Sequence, residues 1–180
     1  MLSKTQAMNW KALRTERMPR MNARMRACAC WSAIEEHDKI LDMACGEGAL
    51  LRHLSEGCRL TVCGMCESPE KARYAREVLD GADVVPGRME DIPWRNDTFD
   101  VVMVPGDMRG EPRRIFDEVF RVLKTGGQIT LATALWQTEG NTNRRELMRL
   151  MQEAGFRDVS YRAAGFSGAI VGWKKRKMPV

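Results

Sequence analysis

A run of apolar residues that breaks abruptly on small ones, Lys39-Ile40-Leu41-Asp42-Met43-Ala44-Cys45-Gly46-Glu47-Gly48, constrains this chain more than any other segment. Its first half reads as a buried strand, and a helical pattern begins at Ala49, so only a short turn is left to join the two. Gly46 and Gly48 give that turn torsions a side chain would forbid and let a ligand come close to the main chain. In an open α/β sheet the carboxyl end of such a strand is where ligands lie. A dinucleotide fingerprint would need a third glycine, G-x-G-x-x-G, with the helix N-terminus aimed at a pyrophosphate. The pattern here is D-x-A-C-G-x-G, and no third glycine follows.

The rest of the chain keeps the same rhythm. Strands are expected over 39–44, 59–65, 83–86, 99–104, 128–134, 156–162 and 168–174. Helices are expected from Ala49, from Ser68-Pro69-Glu70 to residue 79, over 111–124 and over 142–154. Serine as N-cap followed by proline opens the second of these helices, and Gly126-Gly127 is expected to end the third. Alternation of this kind predicts an α/β fold: a Rossmann-like, doubly wound, mainly parallel seven-stranded sheet with helices on both faces. Residues 1–35 form an Arg/Met-rich extension, helical over 21–36, expected either to fold residues 10–35 over the strand ends as a lid, with Trp10 or Trp31 towards the acceptor, or to pack on the flank of the sheet; residues 36–180 form the domain proper.

Composition narrows the class. With 180 residues, 44% apolar and 29% charged, the chain has the balance of one soluble globular domain. No apolar run approaches the roughly 20 residues of a membrane span. The basic N-terminus has no apolar stretch behind it, so no secretory signal is expected. Six cysteines scattered through strand and helix patterns fit reduced thiols and a cytoplasmic location. The +5 net charge is concentrated at Lys4, Lys11, Arg14, Arg17, Arg20, Arg24 and Arg26 and again at Lys174, Lys175, Arg176 and Lys177. Such clusters can hold nucleic acid or anionic lipid, although solvated termini account for them equally well.

The glycine turn is similar to the first motif of class I S-adenosylmethionine-dependent methyltransferases, and four further segments resemble that family in order and spacing. They are Val62-Cys63-Gly64-Met65-Cys66-Glu67-Ser68-Pro69-Glu70, Gly87-Arg88-Met89-Glu90-Asp91-Ile92-Pro93-Trp94, Phe99-Asp100-Val101-Val102 with Arg121-Val122-Leu123-Lys124-Thr125-Gly126-Gly127, and Glu153-Ala154-Gly155-Phe156-Arg157-Asp158-Val159. Within the family the likeness is to the ubiquinone/menaquinone C-methyltransferase and type 11 group. The resemblance implies S-adenosylmethionine as cofactor. Asp42, Ala44, Cys45, Gly46, Glu47 and Gly48 would face its amino-acid end, Cys66 and Glu67 its ribose, Met89 and Glu90 its adenine, and Val104 the methyl group. It implies methyl transfer by in-line displacement to a small aromatic or quinone-like acceptor. The alternatives are an RNA methyltransferase and a cofactor-binding protein without turnover.

Two departures from the family stand out. The ribose-binding acid falls at Cys66, a weak acceptor, with Glu67 one residue late; and Arg88, which has no acceptor at all, replaces the usual aspartate of the adenine loop. Asp107 is the candidate acid or base, because its loop should border the methyl group. No metal is expected: Cys63 and Cys66 form a C-x-x-C, but Cys63 lies inside a strand and should face away from Cys66. His37 and His53 are expected to be spectators.

Overall fold

Residues two apart on a strand share a face, and in this chain that alternation builds two apolar layers around one sheet. The computed structural model describes residues 23–56, 59–80, 82–134, 144–164 and 167–175. They form α1 (Ala23–Trp31), β1 (Lys39–Asp42), α2 (Ala49–Ser55), β2 (Thr61–Cys66), α3 (Pro69–Val78), β3 (Asp83–Pro86), β4 (Phe99–Val104), α4 (Pro112–Val122), β5 (Leu123–Ala134), α5 (Arg144–Glu153), β6 (Arg157–Ala164) and β7 (Ser167–Trp173). The sheet has the order β3-β2-β1-β4-β5-β7-β6. β1 to β5 run parallel, and β7 is antiparallel to both β5 and β6. The expected seven-stranded, mainly parallel sheet is therefore present.

Leu41, Val102, Val104 and Ile129 point to one face and meet Ile115, Phe116, Val119 and Val122 of α4 and Leu147 and Met151 of α5. The spacing of the α4 residues makes one continuous apolar stripe. Ile40, Val101 and Met103 point to the other face and meet Ala27 and Cys28 of α1 and Leu50 and Leu54 of α2. Asp42 shares the parity of Ile40, so its carboxylate is directed to the α1 side. Ser68 caps α3 by accepting from the Lys71 N–H at 3.3 Å, with Pro69 as the first helical residue.

Two helix ends differ from expectation. α1 stops at Trp31 because the residues after it are taken by β5: the Ser32 hydroxyl donates to Thr130 Oγ1 at 3.0 Å, and the Ala33 N–H donates to Gln128 Oε1 at 2.7 Å. α4 ends at Val122, before the glycine pair, because Leu123 is extended and already pairs with Phe99 of β4. Gly126 instead serves a left-handed bend at φ 92°, where its N–H donates to the Lys174 carbonyl at 2.7 Å.

An ion pair carried by α4 helps to hold the loop after β3. Arg121 clasps both Glu118 oxygens at 2.7 Å and also donates to the carbonyls of Ile92 and Trp94 at 2.8 Å. Arg121, followed by the Ile92 N–H, holds the Glu118 carboxyl below its usual 4.5. A carboxyl depressed on folding stabilises above its unfolded pKa and loses that contribution as pH falls through the folded one. Glu118→Gln should therefore flatten the loss of stability below about pH 4.5; denaturant midpoints measured from pH 6 downward check this, and parallel curves for parent and variant would count against it.

Candidate cofactor-binding site

The carboxyl ends of β1, β2 and β4 and the loop after β3 enclose a cleft of about 350 Å³, lined by Met43, Cys66, Glu67, Gly87, Arg88, Met89, Glu90, Arg109 and Gly110. Four of the expected site residues, Cys66, Glu67, Met89 and Glu90, thus share one wall system. Met43, Arg109 and Gly110 had no signal in the sequence beyond their place at strand ends and loops.

Beside the cleft, the turn after β1 is built around Asp42, which is fully buried. Its Oδ1 accepts from the Ala44 N–H at 3.0 Å and from the Arg24 guanidinium, which α1 carries across the sheet. Among the described residues its Oδ2 has no hydrogen-bond partner, and neither has Arg24 Nε. Burial lowers the Arg24 pKa, but the Asp42 charge outweighs burial and the net direction is upward, so the guanidinium stays charged. Sequence reading placed Arg24 among solvated basic residues; only the packing of α1 shows that it reaches the strand ends.

The two turn glycines play different parts. Gly46 has φ 55°, and a Cβ built there would meet nothing within 4 Å, so its main chain borders open space. Gly48 has φ 81° and would bring a Cβ to 2.8 Å from Leu79 Cδ1, so it is required for packing against the end of α3. Glu47 is exposed and Ala44 half-buried.

The residues expected at the ribose are not equivalent. Cys66 is 3% exposed, and its sulfur lies 2.9 Å from that of Cys45. Glu67 is exposed and paired with Arg109 at 3.3 Å and Lys71 at 3.9 Å. In the adenine loop, Glu90 has both oxygens engaged: Oε1 accepts from the Glu111 N–H and Oε2 from Arg88, each at 2.8 Å. Those bonds hold its carboxyl below the usual range, the Glu111 N–H contributing most. The side chain of Val104 is buried in the apolar layer with α4 and α5 residues, and Val104 is not among the residues that line the cleft.

Asp107 is exposed in the loop after β4 and close enough to contribute to the field at Arg24. His37 is exposed and His53 half-buried. Cys63 and Cys66 fall in different apolar clusters, as their strand positions require. Among the described residues no group of three or more histidine, cysteine or acidic side chains is arranged to hold a metal ion, and no helix is long and apolar enough to cross a membrane. Trp31 is half-buried against the α1 layer; Trp10 lies outside the described residues.

Residues 40–127 match the family described as a methyltransferase domain. The chain is 27% identical over 146 residues to 2-methyl-6-phytyl-1,4-hydroquinone methyltransferase 1 of Oryza sativa, covering 71% of this chain and 43% of that protein. It is 33% identical over 108 residues to a ubiquinone/menaquinone biosynthesis C-methyltransferase of Cereibacter sphaeroides, covering 55% of this chain and 43% of that protein. The chain therefore spans less than half the length of these relatives. Its fold matches an S-adenosylmethionine-dependent methyltransferase of Thermotoga maritima with a TM-score of 0.68 at 21% identity, over 85% of this chain and 88% of that one.

Proposed function

We propose, for a chain that carries a methyltransferase domain of the class I, S-adenosylmethionine-dependent type, that the cleft transfers a methyl group to a small aromatic or quinone-like acceptor. The observation that carries the reading is the buried Asp42 carboxylate, one of whose oxygens has no partner among the described residues, set beside Arg24 and next to the open main chain at Gly46. An unsatisfied buried carboxylate oxygen is costly unless something completes it. An α-ammonium group fits Asp42 Oδ2, and an α-carboxylate fits the unpartnered Arg24 Nε. Those are the two charged groups at the amino-acid end of the cofactor. The hydroquinone and quinone substrates in the names of the two relatives support the acceptor class.

When bound, the sulfonium supplies a methyl group that is already activated for displacement. What remains for the chain is alignment and the exclusion of water. Asp42 and Arg24 fix the amino-acid end, Glu67 lies where ribose hydroxyls would reach it, and Met43 and Met89 give the cleft apolar walls. Asp107, in the loop beyond Val104, is the group available to take a proton from an acceptor hydroxyl. A lid over the acceptor would have to come from residues 1–35, of which residues 1–22 lie outside the described residues. α1 itself packs on the face of the sheet over β5 and β7 and brings only its first turn, with Arg24, to the strand ends.

Calorimetry with S-adenosylmethionine and S-adenosylhomocysteine, followed by an acceptor screen read as S-adenosylhomocysteine release, tests this. Binding with turnover of an aromatic or quinone-like compound is the expected result. Binding with no turnover across the screen would favour a cofactor-binding protein, and turnover on RNA with a steep salt dependence would move the acceptor to nucleic acid. Absence of binding would remove the reading altogether.

A further inference from the structure

The C-x-x-C of β2 does not bring its cysteines together, but the fold pairs one of them with a cysteine twenty-one residues away in sequence. Cys45, in the glycine turn, and Cys66, at the end of β2, place their sulfurs 2.9 Å apart. That is within reach of the roughly 2.05 Å of a disulfide after a small side-chain rotation. Gly64 makes the approach possible: a Cβ there would stand 2.7 Å from Cys45 Sγ. Both sulfurs also lie near the Gly46 carbonyl, Cys66 Sγ at 3.4 Å and Cys45 Sγ at 3.9 Å. The apolar neighbours include Leu51, Ala72, Ala75 and Val84, while the Arg24 and Asp42 charges, of opposite effect, also act on Cys45.

We propose that Cys45 and Cys66 form a reversible dithiol/disulfide site in the floor of the cleft, and that the disulfide weakens cofactor binding. Cys45 is 2% exposed and sealed, but Cys66 lines the cleft and can be reached through it. The oxidant is a low-molecular-weight disulfide. The Cys66 thiolate attacks one of its sulfurs and releases one thiol. Cys45 then attacks the Cys66 sulfur of the mixed disulfide, its proton passing to the departing thiolate. Two S–H bonds are lost, one S–S bond forms, and the oxidant is reduced to two thiols. Burial, followed by the contact with Cys66, pushes the Cys45 thiol well above its usual range. The second step is therefore slow at neutral pH and accelerates as pH rises.

The tie joins the turn that carries Gly46 to the strand end that carries Glu67, and it removes the S–H group directed at the Gly46 carbonyl. Both changes fall on main chain that borders the cofactor. Linkage then requires reciprocity: a ligand that binds the reduced form better must protect the pair from oxidation by the same factor. This consequence rests on the function proposed above, whereas formation of the disulfide does not.

The test equilibrates the full chain in mixtures of reduced and oxidised glutathione, with and without S-adenosylhomocysteine. Non-reducing peptide maps should show the peptides of Cys45 and Cys66 joined and about two mass units lighter than their sum. Calorimetry on the oxidised chain should give S-adenosylhomocysteine affinity about tenfold weaker, restored by dithiothreitol, and the ligand should shift the glutathione midpoint to match. Cys63→Ser should keep this behaviour, and Cys45→Ser should lose both the link and the redox response. Absence of the link at every glutathione ratio, or a link with unchanged affinity, overturns the proposal. Because the peptide map needs no ligand, a chain that links these cysteines on oxidation yet in its reduced form binds no S-adenosylhomocysteine would sink the proposed function and leave only the dithiol/disulfide pair standing.

Discussion

Gly46→Val is expected to fold and to lose S-adenosylhomocysteine binding by at least about a hundredfold, near 2.7 kcal/mol. Among the described residues, other than its chain neighbours, nothing lies within 4 Å of the Cβ that the substitution adds, so valine projects into the space assigned to the ligand. The fold bears only the left-handed backbone at φ 55°, which costs a non-glycine residue about 1–2 kcal/mol. Gly46→Ala carries a similar backbone cost with less volume, so its binding should fall between parent and valine. Gly48→Val should behave in the opposite way, since the space beside Gly48 is filled by Leu79 at 2.8 Å and the loss should appear as lowered stability. Melting curves and calorimetry on the three variants check the pattern; a Gly46→Val protein that binds as the parent does would place the site elsewhere.

That contrast shows how far the sequence could be read. Both glycines are visible as a turn, because strand period, small residues and helical period follow one another within a few positions. Which glycine borders open space and which borders Leu79 depends on where α3 ends, at Val78, far beyond the turn in sequence. The sheet was legible for the same local reasons, since each strand carries its own apolar pattern and the parallel order follows from the alternation with helices. The end of α4 was not, because Leu123 has ordinary helical character and is drawn into β5 by pairing with Phe99.

The site was legible where it lies on a motif and obscure where it depends on packing between distant segments. Cys66 was flagged as a weak ribose partner, but the sulfur it meets belongs to Cys45, and no spacing rule joins a glycine turn to the next strand end. Glu90 had the right chemistry for adenine, yet it is engaged by Arg88 and by the first turn of α4. Arg24 was lost among the basic residues of the N-terminal extension. Charge counting cannot separate a solvated arginine from one that a helix delivers to a buried carboxylate.

Arg24→Met is expected to destabilise the chain by about 3 kcal/mol, because it leaves Asp42 buried with one oxygen held by the Ala44 N–H and no charge to balance it. The lower end of the usual range applies, since the Arg24 side chain is 21% exposed and partly screened by solvent. Adding Asp42→Leu should restore most of the lost stability, because a buried ion pair can be exchanged for apolar residues of similar volume at little net cost. The double variant should nevertheless bind no S-adenosylhomocysteine, having lost the groups that would complete an α-ammonium and an α-carboxylate. Stability recovered without binding would mean that the pair serves the ligand, with the fold able to do without it. Stability that stays low in the double variant, with binding retained in Arg24→Met, would instead make the pair a structural clamp between α1 and β1.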